Sequence, residues 1–309
     1  VIGILGATGY VGSSLARVLA CRASETLVLF ARRPEALLAE AWPTNVTIKA
    51  IADFSAKEFD LVINAIGAGA PARVAALKNE ILDITRAWDE QVLGTMSGKT
   101  QYVFLSSGAI YGGGFSEPVD EASSLVIQVN RIESIPPYTL AKLQAEIRHR
   151  YLPEQAILDV RIFGYADSAI PLESNFFLAD LVRCTTRNEV FVTSPDPMVR
   201  DYAGALELAT LIDCWRTSGA SNMAVDLYTA RPVSKHELLA IAAERFGLKV
   251  RSVKTTNTPT DSPTGAKAVF ASNYRKAATL GYRPSRSSLE IVLPILETAA
   301  DLAQAGRDA

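Results

Sequence analysis

The chain has 309 residues, 31 basic and 33 acidic, and 49% of them are hydrophobic. That length suits one large domain or two ordinary ones with ample surface to bury a core. The near balance of charge, with no basic stripe, excludes an electrostatic case for nucleic acid or an anionic membrane surface. No uninterrupted apolar run is long enough to span a bilayer, and no charged stretch precedes a signal-peptide core. Cys21, Cys184 and Cys214 are widely spaced and odd in number, which argues against a disulfide framework and for a reducing, cytoplasmic setting. His149 and His236 are the only histidines, so no metal site and no Ser-His-Asp triad is expected; His149 reads as a solvated helix residue.

Residues 1–5, VIGIL, read as a strand buried on both faces. Val1 already lies in that run, so a few residues are expected upstream. GATGYVG follows at Gly6 to Gly12, and residues 13–20 carry apolar positions at helical spacing. In a strand, glycine turn and helix of this kind, Gly6, Gly9 and Gly12 give a tight turn, close approach of backbone to a pyrophosphate, and close packing of helix on strand. The anion sits at the helix N-terminus, beside Thr8, Tyr10 and Val11, where unpaired N–H groups and the helix dipole favour it. Without a ligand, the same pattern is a plain glycine-rich turn.

Further strands are predicted at residues 26–30, 46–51, 61–66, 101–105 and 157–162, with helices at 35–40, 72–96 and 138–151. This alternation predicts an α/β fold, a doubly wound parallel Rossmann sheet, with a smaller C-terminal α/β substrate domain. The dinucleotide-binding domain is assigned to 1–165, with 199–230 returning to it through a helix at 202–216. The substrate domain takes 166–198 and 231–309. Residues 255–265, TTNTPTDSPTG, read as a mobile loop.

The second strand ends at Arg32 and Arg33, where many NAD-binding folds place an acidic residue on the ribose. Two guanidiniums there suit a 2′-phosphate and favour NADP(H), with NAD(H) possible; a solvated charge pair is the alternative. Asp53 is a candidate partner for the adenine amino group, and equally an ordinary loop aspartate. Ala65 and Gly67 are small enough to let a dinucleotide cross the sheet edge.

FLSSGAIYG, residues 104–112, closes one strand with serines, and PYTLAK, residues 137–142, opens the next helix. Tyr138 and Lys142 stand four apart and so share a helix face. A nearby cation favours the phenolate, which suits Tyr138 to proton transfer near neutrality, with Ser107 bonding the same substrate oxygen. Alone the Tyr-Lys pair is a weak signal; after a glycine turn and a serine strand it is a strong one.

Together, Gly6, Gly9, Gly12, the 107–111 segment, Tyr138, Lys142, RDYAGALELA from residue 200 and LGYRPSRSSLEI from residue 280 resemble the extended short-chain dehydrogenase/reductases, or NAD-dependent epimerase/dehydratases. The resemblance covers most of the chain. It implies catalytic roles for Ser107, Tyr138 and Lys142, with Lys142 also on the nicotinamide ribose, Asn79 supporting Lys142 through water, and Phe163 in the cofactor site. It also implies a nucleotide-diphosphate sugar substrate held by Arg200 and Asn175. Arg200 has the alternative of a structural ion pair, and Asn175 that of a helix cap. A homodimer through the helices at 72–96 and 138–151 is a further implication.

Three departures narrow the reaction. Gly108 and Ala109 stand where sugar dehydratases of the family place Asp-Glu, and where double-epimerising reductases use a cysteine. Gly164 replaces an asparagine that commonly contacts substrate. The expectation is therefore a 4-ketoreductase using NADPH; the alternative is a nucleotide-sugar 4-epimerase that retains NAD. A non-catalytic NADP sensor is a third option, set against the intact Tyr-Lys pair.

Overall fold

Strand β1 (Ile2–Leu5) is buried along its whole length, as its unbroken apolar run requires. The computed structural model describes residues 1–67, 71–113, 115–253 and 268–308. After β1 come α1 (Tyr10–Ala20), β2 (Leu27–Ala31), α2 (Glu35–Leu38), β3 (Val46–Ala50), β4 (Leu61–Asn64), α3 (Pro71–Leu77), α4 (Glu80–Thr95), β5 (Gln101–Ser107), α5 (Pro137–Arg150) and β6 (Ile157–Ile162). Then follow β7 (Gly164–Tyr165), α6 (Phe177–Arg187), β8 (Phe191–Thr193), β9 (Val199–Arg200), β10 (Tyr202–Ala203), α7 (Ala205–Thr217), β11 (Met223–Leu227), β12 (Val233–Ser234), α8 (Lys235–Phe246) and, last, α9 (Ser288–Asp308).

Among the described residues the central sheet has seven strands in the order β11-β6-β5-β4-β1-β2-β3, every pair parallel. Ile2 pairs with Leu27 on one side and Leu61 on the other. The winding direction reverses between β1 and β4, which opens a crevice beyond their C-terminal ends, where ligands of such sheets bind. Leu15, Leu19, Leu29, Ile63, Val103 and Trp215 are buried in the core that carries this sheet. Each such aliphatic side chain contributes about 1.5–3 kcal/mol by leaving water. Helix α7 lies on this core through Leu208, Leu211 and Ile212, and β11 extends the sheet beside β6. A second core joins α6, α8 and α9 through Leu178, Leu181, Leu238, Val292 and Leu296.

Several local expectations change. The helix at 72–96 is two helices, because Lys78 takes a left-handed φ of 47° and breaks the hydrogen-bond ladder ahead of Asn79. The helix expected from Tyr202 starts at Ala205, since Tyr202 and Ala203 pair as a strand with Gly164 and Tyr165. β5 runs on to Ser107, and β4 stops at Asn64, whose side chain turns back to take the Ile66 N–H. His149 is completely buried rather than solvated, because two carboxylates, Asp89 and Asp159, hold its ring inside. The loop at 255–265 lies outside the described residues.

Candidate active site

Backbone geometry leaves no choice at two of the three glycines. Gly6 has φ +76°, and a Cβ there would sit 2.8 Å from the Ala65 carbonyl. A Cβ on Gly12 would lie 2.4 Å from the Gly6 oxygen and 3.2 Å from the Ala65 side chain. The turn is therefore packed directly between α1 and the end of β4. Gly9 is the N-cap of α1; no side chain caps this helix, and its first turn holds no acid. Its N-terminus is thus open to an anion, so these residues fit the pyrophosphate of a dinucleotide. Thr8 is exposed beside the turn and Val11 packs against the main core.

Tyr10 does something different from the expectation. Its phenol oxygen accepts the Asp167 N–H at 2.8 Å, and its ring meets Tyr165 edge-on at 5.4 Å. Ser14 donates to the Asp167 carboxylate at 2.6 Å and accepts from the Tyr165 hydroxyl at 3.0 Å. The Tyr10 side chain braces α1 against 165–167, leaving its backbone N–H as the part of the residue free for the expected role. Burial raises the phenol far above its ordinary range.

Arg32 and Arg33 are exposed directly after β2, and neither forms an ion pair among the described residues. Asp53 is exposed on a short turn after β3.

The groups with chemistry meet at the C-terminal end of β5. Ser107, its last residue, is buried; its oxygen accepts the Ala109 N–H at 3.1 Å and lies near enough to the Tyr138 phenol to favour its ionised form. Tyr138 lies in the first turn of α5, after a proline that fixes the helix start. One turn on, the Lys142 ammonium donates to the Leu105 carbonyl at 2.7 Å, stands 4.5 Å from the Phe104 ring centre and 5.9 Å from that of Tyr138. It also lies 3.6 Å from the place a Cβ on Gly67 would occupy, which brings the β4 edge to the same spot.

Burial holds the Tyr138 phenol above its usual value, against a downward pull from Ser107. Lys142 is pulled down to about 8 by loss of solvent, with Asp89, Glu146 and Asp159 acting against that shift. The expected lowering of the phenol by its lysine neighbour does not appear; burial sets the direction and Ser107 alone opposes it.

Behind them is a set of charges that motif spacing did not single out. Glu146 accepts from Ser106 at 2.5 Å and from Arg161 at 2.7 Å. Arg161 donates to the Tyr111 oxygen at 2.8 Å, and Tyr111 donates to Asp226 at 3.1 Å. Burial pushes the Asp226 carboxyl up to about 6. The available signal was Glu146, four residues after Lys142 on the same helix face.

The departures have steric causes. A Cβ on Gly108 would lie 2.6 Å from the ring of Phe163, which is buried against Phe270. Phe163 thus fills the space where a relative would hold an acid or a thiol. A Cβ on Gly164 would lie 2.6 Å from the Asp201 carbonyl, because β7 and β10 run side by side there.

The other expected residues make no hydrogen bond with Ser107, Tyr138 or Lys142 among the described residues. Asn79 is exposed at the N-terminus of α4, without a side-chain cap bond. Asn175 is exposed with a left-handed φ of 58° two residues before α6, and its side chain makes no hydrogen bond among the described residues. Arg200, on β9, donates to the Val199 carbonyl at 2.8 Å, and burial pulls its guanidinium down. No described group of histidines, cysteines and carboxylates is arranged to hold a metal ion, and no described helix is long and apolar enough to cross a membrane.

The whole chain superposes on several solved nucleotide-sugar enzymes. A UDP-glucuronic acid 4-epimerase from Bacillus cereus, bound to UDP-glucuronic acid and NAD, matches with TM-score 0.74 at 16% identity, over 98% of this chain and 99% of that one. A UDP-N-acetylglucosamine 4-epimerase from Methanobrevibacter ruminantium gives 0.73 at 14%, over 99% and 98%. A UDP-glucose 4-epimerase from Thermotoga maritima gives 0.73 at 14%, over 99% of both chains. No curated protein sequence matches the chain. The sequence pattern of the NAD dependent epimerase/dehydratase family matches residues 2–221, and the chain belongs to that family.

Proposed function

We propose that this protein is a nucleotide-sugar 4-epimerase. The observation that carries the proposal is the meeting of Ser107, Tyr138 and Lys142 beside Gly67, at the sheet edge that the glycine turn opens. Similarity to several 4-epimerases favours this reading over one-way reduction.

A bound nicotinamide dinucleotide supplies a hydride acceptor and donor at the sugar carbon. Gly6, Gly9 and Gly12 would hold its pyrophosphate, Ala65 and Gly67 its passage over the sheet, and Lys142 its nicotinamide ribose. Ser107 orients the sugar hydroxyl toward Tyr138, which takes the hydroxyl proton as the carbon is oxidised and returns it as the alcohol re-forms. Lys142 keeps positive charge beside the phenolate while it exists. Gly108 leaves this chain without the second acid that elimination of water needs. Arg200 is the candidate for the diphosphate, with Asn175 nearby in sequence to α6; pairing through α4 and α5 would make a homodimer.

Exposed Arg32 and Arg33 favour a second reading, a ketoreductase that exchanges NADPH. One experiment separates them. The purified protein is incubated with UDP-glucose, UDP-glucuronic acid and UDP-N-acetylglucosamine, and the products are resolved by anion-exchange chromatography and NMR. Interconversion of C4 epimers without net nicotinamide oxidation supports the epimerase. Stoichiometric NADPH oxidation with 4-keto sugars, and no epimer formed, replaces it with the reductase.

A further inference from the structure

Seven residues beyond Lys142 on α5, His149 is fully enclosed. Its Nε2 lies 2.8 Å from Asp89 on α4 and its Nδ1 2.6 Å from Asp159 on β6. With protons on both ring nitrogens the imidazolium donates to both carboxylates, and Arg150 on the second oxygen of Asp159 favours the ionised form of that acid. Burial works against the ring's charge, yet the bonds from Asp159 and Asp89 outweigh it and raise the ring to about 9.

The surroundings are charged on every side. Arg150 holds the second oxygen of Asp159 at 2.6 Å, and Arg148 lies 3.8 Å from Asp89 while pairing with Glu90. From β5, the Tyr102 hydroxyl donates to Asp89 at 3.0 Å and accepts from Asn64 at 3.0 Å. Glu146 on α5 and Arg161 on β6 complete the ridge. The Phe104 ring links this group to the reacting end: it sits 4.5 Å from the Lys142 ammonium and meets the His149 ring at 5.4 Å.

Lys142 has a neutral carbonyl and two aromatic faces as partners, with no carboxylate in ion-pair contact among the described residues. In a medium of low dielectric its charge then depends on the groups one layer away. We propose that Asp89, His149 and Asp159 form a buried triad that acts on the reaction through Lys142, with His149 as a positioning residue. The two carboxylates favour the ammonium, and the imidazolium between them tempers that field while tying α4, α5 and β6 together. The effect on rate rests on the role given to Lys142 above; the effect on Lys142 itself does not.

The test follows the Lys142 ¹³Cε resonance against pH in the full chain, assigned by its loss in Lys142→Met, alongside pH profiles of kcat/KM. Asp89→Asn removes a negative charge and lowers the Lys142 midpoint by about one pH unit, whereas His149→Gln removes a positive charge and raises it by about as much. His149→Asn repeats the upward shift should His149→Gln fail to fold. The alkaline limb of kcat/KM moves with each midpoint. Shifts in one common direction, or none, overturn the triad's role, since damage to packing has no reason to act with opposite sign. Opposite shifts with no turnover of any nucleotide sugar uphold the coupling to Lys142 and overturn the function proposed for the site.

Discussion

The glycine turn after β1 and the pair Gly108 and Gly164 are alike in contact and opposite in meaning. At Gly12 and at Gly164, a Cβ would fall 2.4 and 2.6 Å from a carbonyl oxygen. The first contact clears the N-terminus of α1 for an anion. The second leaves no side chain at a position where the family resemblance implied an asparagine on the substrate. A glycine forced by backbone proximity is therefore no sign of a ligand by itself; what the freed surface faces decides its role.

That comparison can be broken by experiment. The largest effect is the control that touches neither set: Tyr138→Phe should cut turnover by about 10²–10⁴-fold while nicotinamide fluorescence titration shows unchanged binding. Near-normal turnover would remove the proton-transfer role. Gly12→Ala and Gly164→Asn should each destabilise by about 1–3 kcal/mol in urea unfolding, the cost of overpacking. Only Gly12→Ala should also abolish dinucleotide binding. Were Gly164→Asn to cost nothing and tighten sugar binding, the steric account of this position would fail.

The pH dependence of stability sharpens the contrast between turn and charged ridge. His149 holds its proton more tightly folded than unfolded, at about 9 against 6.5, so its contribution is complete below pH 6.5 and is lost as pH rises through 9. Lys142 is shifted the other way, to about 8 from 10.5, and returns stability between those values. Each is of order 3 kcal/mol, so these two groups place a minimum between pH 8 and 9 in urea unfolding. Lys142→Met should abolish the recovery above pH 8 and, because the coupling is reciprocal, move the His149 decline up by about one pH unit. The smallest effect belongs to the cofactor edge: Arg32→Ser with Arg33→Ser should weaken NADPH binding about tenfold and leave NADH unchanged by calorimetry.

Much of this was legible in sequence because it depends on local pattern. Strand β6 runs from Ile157 to Ile162 as its β-branched and aliphatic residues imply, and Ser107, Tyr138 and Lys142 meet because a strand end and a helix start are fixed by nearby residues. What was missed depends on partners distant in the chain. His149 looked solvated because Asp89 lies 60 residues away on another helix. Tyr10 belonged to the glycine motif by position, yet its phenol is claimed by Asp167, 157 residues on. Lys78 breaks a helix with no glycine or proline to announce it.

The links from Tyr10 and Ser14 to 165–167 also have a mechanical consequence. Three short hydrogen bonds clamp the first turns of α1 to the chain as it leaves the sheet. A swing of α6 and α8 away from the sheet cannot pivot at that clamp without breaking it. Any such movement has its pivot beyond Asp167, so the N-terminal turn of α1 stays tied to the sheet whatever α6 and α8 do.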